Sequence, residues 1–311
     1  MTKEEGLRAY LDEFIYRGFA QDDFIPSFFP GCKTSTIPSM FGAKEIIAGD
    51  DVKGERILFK PEDIDSLPEP TISPNTPAHN WLEMQKYYIE ECEGEIPVHV
   101  CDMQGPMDVC GQLYGYEGLF LCAYDDEERY VKLMQKAADA FQLLWEAQAT
   151  LLGDKFVGTH LFGWSWIPEN VGATMSVDSL VMLSKDFFDE FYKPYIEDIA
   201  KRFGGITVHS CGNFGTVVEN LAKTDDVRAI NASQMSVTEL LDNGWNPSKL
   251  MIVCEEANNL PTLFNLAREK NLFLDPTVGG IWPDDKPQNW TNEQKNAIIE
   301  KINYLQQCAA T

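Results

Sequence analysis

Basic charge is scarce in this chain. Twenty-five Lys and Arg stand against 49 Asp and Glu, a formal net charge of -24 over 311 residues. Phosphate backbones are held by clustered Lys and Arg, so this balance argues against a nucleic-acid partner and equally against an anionic membrane surface. Long apolar runs are missing too: none approaches the ~18 residues of a spanning helix. Met1 to Tyr10 reads as a polar helix and not as a charged leader followed by an apolar stretch. The expectation is a soluble, cytoplasmic protein with no membrane partner. The eight cysteines, at 32, 92, 101, 110, 122, 211, 254 and 308, show no CxxC spacing. In a chain of this length they read as reduced thiols and not as a disulfide framework. No repeat of 20–50 residues occurs, which excludes a solenoid. No Gly-rich turn follows an early strand, which argues against an open dinucleotide-binding sheet.

What is present is a hydrophobic content of 44%, enough for one barrel-sized core. Residues 1–95 read as loop-rich, with a helix over 3–16 and strands near 23–30 and 44–48. The proline- and serine-rich stretch 62–77 reads as a surface connection. From 96 to 311 the pattern becomes regular. Strands are expected at 96–103, 154–162, 206–211, 227–232, 250–254 and 272–275. Helices are expected at 127–152, 185–202, 215–222, 237–242, 260–270 and 291–307, the first with apolar residues at close to 3.6-residue spacing. Alternating strands and helices imply a parallel sheet, and a count of about eight strands implies one (β/α)8 barrel spanning 1–311, with an irregular N-terminal extension.

Chemistry concentrates at expected strand ends. Ile206-Thr207-Val208-His209-Ser210-Cys211-Gly212-Asn213 is a β-branched run ending in His-x-Cys. Residues two apart on a strand face the same way, so the His209 imidazole and Cys211 sulfur project together, as half of a zinc shell. The competing reading is a core histidine beside a buried thiol. A third ligand is required; Cys254 is the first candidate and Asp178 the fallback. Cys254 ends a strand two places further on, and Asp178 follows Gly172-Ala173-Thr174-Met175-Ser176-Val177. Asp102 and Gln104 end an earlier strand beside Gly105-Pro106 and suit substrate orientation, as does Asn213. Trp164 and Trp166, with Phe162 and Trp282, fall near loop starts and could line a cleft for a flat group. The Asp125-Asp126-Glu127-Glu128 run is a helix start that complements the helix dipole.

Several of these segments together resemble a known family. Pro97 with Asp102-Met103-Gln104-Gly105-Pro106, Tyr124-Asp125-Asp126-Glu127, Leu183-Ser184-Lys185-Asp186-Phe187-Phe188 with Phe191-Tyr192-Lys193-Pro194-Tyr195, and His209-Ser210-Cys211-Gly212-Asn213 are similar to the uroporphyrinogen decarboxylase superfamily. Its cobalamin-dependent methyltransferase branch is the nearer likeness. The resemblance runs from about Asp22 to Tyr304. It implies a TIM barrel that moves a methyl group between a small O-, N- or S-methyl compound or thiol and a corrinoid (methylcobalamin) on a partner protein. Zinc is the implied metal, with His209 and Cys211 carrying the chemistry. Decarboxylases of the superfamily have an Arg-Gln-Ala-Gly-Arg motif after the first strand. Here that place reads Phe29-Pro30-Gly31-Cys32-Lys33, so no arginine pair awaits a substrate's propionates. Coenzyme M methyltransferases of the branch take a third ligand from a cysteine on the last strand. Leu274-Asp275-Pro276-Thr277-Val278-Gly279-Gly280 has none, so either Cys254 replaces it from the previous strand or zinc is absent; Asp178, Cys211 and Cys254 would match the Asp…Cys…Cys sets of bacterial ether demethylase methyltransferases. A metal-free decarboxylase-like enzyme and a methylcorrinoid:tetrahydrofolate methyltransferase are the alternatives.

Overall fold

The computed structural model describes residues 2–31, 33–49, 51–159, 166, 171–282 and 289–310. Helix α1 (Lys3–Arg17) is opened by Thr2, whose side chain accepts from the Glu5 N–H while the Glu5 carboxylate caps the Thr2 N–H in return. A hairpin follows, β1 (Glu45–Ala48) against β2 (Asp51–Gly54), antiparallel. Residues 44–48 were expected in the parallel sheet, but the short connection to β2 allows only antiparallel pairing. Only two positions separate the end of β1 from the start of β2 in sequence, whereas a parallel neighbour needs a long crossover.

Helix α2 (Pro77–Glu91) leads to β3 (Val98–His99), α3 (Pro106–Tyr114), α4 (Tyr116–Asp125) and the long α5 (Glu127–Leu152). The stripe of α5 is buried at Leu133, Ala137, Ala140, Phe141 and Leu144, joined by Trp145 and Gln148, while Leu151 lies exposed beside buried Leu152. Strand β4 (Phe156–Val157) pairs parallel with β3. Strand β5 (Ala173–Ser176), buried at all four positions, has no alternation to betray it and was not foreseen. Its approach to β6 (Ile206–Ser210) is close: Gly172 has φ +84°, and a Cβ there would sit 1.9 Å from the Gly205 carbonyl oxygen.

Between them runs one helical stretch in three pieces. It starts as α6 (Lys185–Phe187), widens to i→i+5 bonding over Phe188–Tyr192, and continues as α7 (Lys193–Phe203). Pro194 has no N–H to give the preceding turn, which accounts for the widening. Seven further elements follow: α8 (Gly215–Lys223), β7 (Val227–Ala232), α9 (Val237–Asp242), β8 (Leu250–Glu256), α10 (Leu260–Lys270), β9 (Leu274–Gly279) and α11 (Asn292–Ala310).

The parallel sheet has five strands in the order β5-β6-β7-β8-β9 among the described residues, fewer than the eight expected. The β3–β4 pair lies beside it, and single parallel bridges link Phe28 to Val98 and Gln104 to Ser176. One apolar cluster runs from Ile37 to Leu305 and takes in residues of the sheet and of α3, α5, α7 and α8. No helix among the described residues is long and apolar enough to cross a membrane.

Candidate metal centre

Register decides which side chains meet. Ser176, His209, Asn231, Ile252 and Asp275 lie level across the five strands. His209 is 2% exposed, and its Nδ1 meets Asn231 Oδ1 in a short hydrogen bond. The Asn231 amide is oriented by its own NH2, which donates to the Ile252 carbonyl at 3.1 Å. Its oxygen therefore faces the ring, and an oxygen only accepts, so in the neutral ring the proton sits on Nδ1 and Nε2 presents a lone pair.

That lone pair looks toward two donors of the right kind. Cys211 Sγ is 3.6 Å from Nε2 and Asp178 Oδ1 is 4.0 Å away. One ligand atom from each residue falls within 4.8 Å of the other two. Around a tetrahedral zinc, ligand atoms lie about 3.3–3.8 Å apart, so small side-chain adjustments would close the set. The Asp178 carboxylate also accepts the Cys211 N–H at 2.8 Å, which ties the loop after β5 to the end of β6. Burial, and after it the Asp178 carboxylate, push the Cys211 thiol up to about 11. Such a thiol ionises at neutral pH only beside a bound cation, so the donor set fits a divalent metal that accepts N, O and S together.

Cys254 is not in this group. It is exposed on β8, and β7 separates β8 from β6. Two strand spacings amount to roughly 10 Å, beyond any shared coordination sphere. Alternate strands can share a layer of a barrel without their side chains meeting at one ion. Asp178, on the adjacent strand end, stands in the third place.

Asp102 and Gln104 are buried and joined: Gln104 Nε2 donates to Asp102 Oδ2 at 2.8 Å, and Ser176 Oγ donates to Asp102 Oδ1 at 3.0 Å. The Asp102 carboxylate is close enough to Cys211 to add to the upward push on its thiol. Asn213 is exposed, and its Oδ1 accepts the Gly215 N–H at 3.0 Å in an Asx-type turn that leads into α8. Trp166 is exposed, with its ring 6.3 Å from that of His99. Trp282 stacks on Trp290 at 5.5 Å. Trp164 and Phe162 lie outside the described residues.

Three contributors escaped the sequence reading: Asn231, Ser176 and Asp108. Asn231 did leave a signal, as the lone amide inside the apolar strand Val227-Arg228-Ala229-Ile230-Asn231-Ala232. A cavity of about 840 Å³ also exists between α1, α2 and the hairpin, lined by Tyr10, Phe29, Trp81 and Tyr88 among others, and none of the candidate residues lines it.

No protein-family model and no curated protein sequence matches the chain. Among solved structures it is similar to a methyltransferase from Methanosarcina mazei, with 13% identity, 98% of this chain and 86% of that one covered, and a TM-score of 0.66. At that identity the likeness is one of fold.

Proposed function

We propose that the protein is a zinc-dependent methyltransferase exchanging a methyl group between a small O-, N- or S-methyl compound or thiol and a corrinoid carried by a partner protein. The observation that carries the reading is the convergence of Asp178, His209 and Cys211 at the carboxyl ends of adjacent parallel strands, with His209 held in the tautomer a metal needs. The fold shared with the Methanosarcina mazei methyltransferase supports it. In this reading the chain forms a single unit. The Phe28 segment, β3 and β4 extend the five-stranded sheet to eight parallel strands that close into a barrel, with the metal centre at its mouth.

Asp178, His209 and Cys211 would hold the zinc. Bound there, zinc supplies Lewis acidity, lowering a thiol's pKa or polarising the heteroatom that bears the methyl group. The chain's own residues prepare that position. Cys211 gives up its Sγ proton when the ion binds, Asn231 keeps the remaining ring proton on His209 Nδ1, and Asp178 completes the charge. Asp102, fixed by Gln104 and Ser176, is the polar group that would orient the substrate beside the metal.

The test is metal analysis of the purified chain together with a methyl-transfer assay from methylcobalamin to 2-mercaptoethanol. The expected result is about one zinc per chain, lost in Cys211→Ser along with the transfer. Zinc well below one equivalent in wild type, or unchanged in the variant, overturns the reading.

A further inference from the structure

Asp108 sits in the first turn of α3, on a different element from all three donors, and is 2% exposed. Its Oδ2 accepts the Asp178 N–H at 2.7 Å. Its Oδ1 accepts the Ser179 N–H at 3.0 Å and the Tyr116 hydroxyl at 2.9 Å. A carboxylate in the first turn of a helix commonly serves its own helix start. Here the start is provided for otherwise, since the Gly105 N–H donates to the Ser176 carbonyl at 2.7 Å. The Asp108 side chain is instead committed to two backbone amides about 70 residues away, and one of them belongs to a candidate metal donor.

We propose that Asp108 is a positioning residue for the metal centre, fixing the 178–179 turn so that the Asp178 carboxylate meets His209 Nε2 and Cys211 Sγ. The inference rests on the metal reading of Asp178, His209 and Cys211. Its reach extends past one ligand, because Asp178 in turn holds the Cys211 N–H. A carboxylate is the side chain this place requires. Both amides are donors, and an amide side chain in its place would set its own NH2 against one of them. Leaving either donor buried without an acceptor is costly enough to move the turn. Burial pushes the Asp108 carboxyl up to about 7, a cost the fold bears for this arrangement.

Cobalt(II) titration of the full chain tests the proposal, because a thiolate ligand gives a charge-transfer band and the d–d bands report geometry. Asp108→Asn is expected to weaken cobalt binding about 10- to 100-fold, the range for partners that orient metal ligands. The same change made on an Asp178→Asn background is expected to add little, since the residue acts through Asp178. Tyr116→Phe removes one of the three hydrogen bonds on the same carboxylate and is expected to weaken binding a few-fold, with the protein folded. Equal losses on both backgrounds, or cobalt affinity unchanged in Asp108→Asn and Tyr116→Phe, overturn the proposal while leaving the metal centre standing. No cobalt uptake by wild type overturns the metal centre, and this inference with it.

Discussion

Two histidines sit near the carboxyl ends of parallel strands and are almost equally buried, His99 on β3 at 1% exposure and His209 on β6 at 2%. In each, Nδ1 faces an oxygen: the Thr159 carbonyl at 2.7 Å for His99, and Asn231 Oδ1 for His209. They part at the second nitrogen. His99 Nε2 lies 2.7 Å from Ser27 Oγ, and with the ring proton on Nδ1 it accepts that hydroxyl, so the ring is closed off on both sides. His209 Nε2 faces a sulfur and a carboxylate. Burial and strand position are therefore poor guides to a metal-binding histidine. What its distal nitrogen meets separates a packed core histidine from one that could take a metal, as proposed for His209.

The comparison has its largest expected effect on stability against pH. Burial pulls the His99 pKa down to about 4 from 6.5. With the folded value below the unfolded one, the unfolded chain binds more protons between pH 6.5 and 4. Stability is then fully present above pH 6.5 and falls as pH drops through that window, by roughly 3 kcal/mol at the limit. Urea midpoints at pH 7.5 and 4.5 should differ by much less in His99→Gln than in wild type. Equal pH slopes would show that His99 is not sealed in the way described.

Smaller, and confined to the other histidine, is the effect of Asn231→Leu. It removes the acceptor that keeps the proton on Nδ1 and should weaken zinc binding about 10- to 100-fold. Ser27→Ala, the equivalent change beside His99, should leave zinc affinity untouched. A loss of similar size in both would erase the distinction between the two rings.

The long periodic elements were legible in the sequence. Helices α5, α9 and α10 begin and end at the expected residues, and β6, β7 and β8 lie close to their expected spans. The pairing of His209 with Cys211 was legible too, because it depends only on the two-residue repeat of a strand. Contacts that depend on which strand lies beside which were not. Cys254, two strands away from His209, was preferred to Asp178 because β5, a short run with no alternation, gave no sign that it lies next to β6 and brings Asp178 to the strand end. The partners of Asn231 and Asp108 are beyond one-dimensional reading for the same reason. Each residue acts across 22 and 70 residues of chain respectively, through a partner that only register or packing reveals. Helices α2, α3 and α4 went unforeseen in a stretch where the outward signals were loops, although Pro77 and Pro106 at their first positions are recognisable helix starts.

The least perturbing change bears on the central claim. Cys254→Ser should alter neither zinc content nor zinc affinity, because that sulfur lies outside the donor set. X-ray absorption at the zinc edge of the loaded protein then decides the matter directly. The account predicts a single sulfur at about 2.3 Å with the remaining ligands nitrogen or oxygen, identical in wild type and Cys254→Ser. Two sulfurs in wild type falling to one in Cys254→Ser, or none in either, would contradict it.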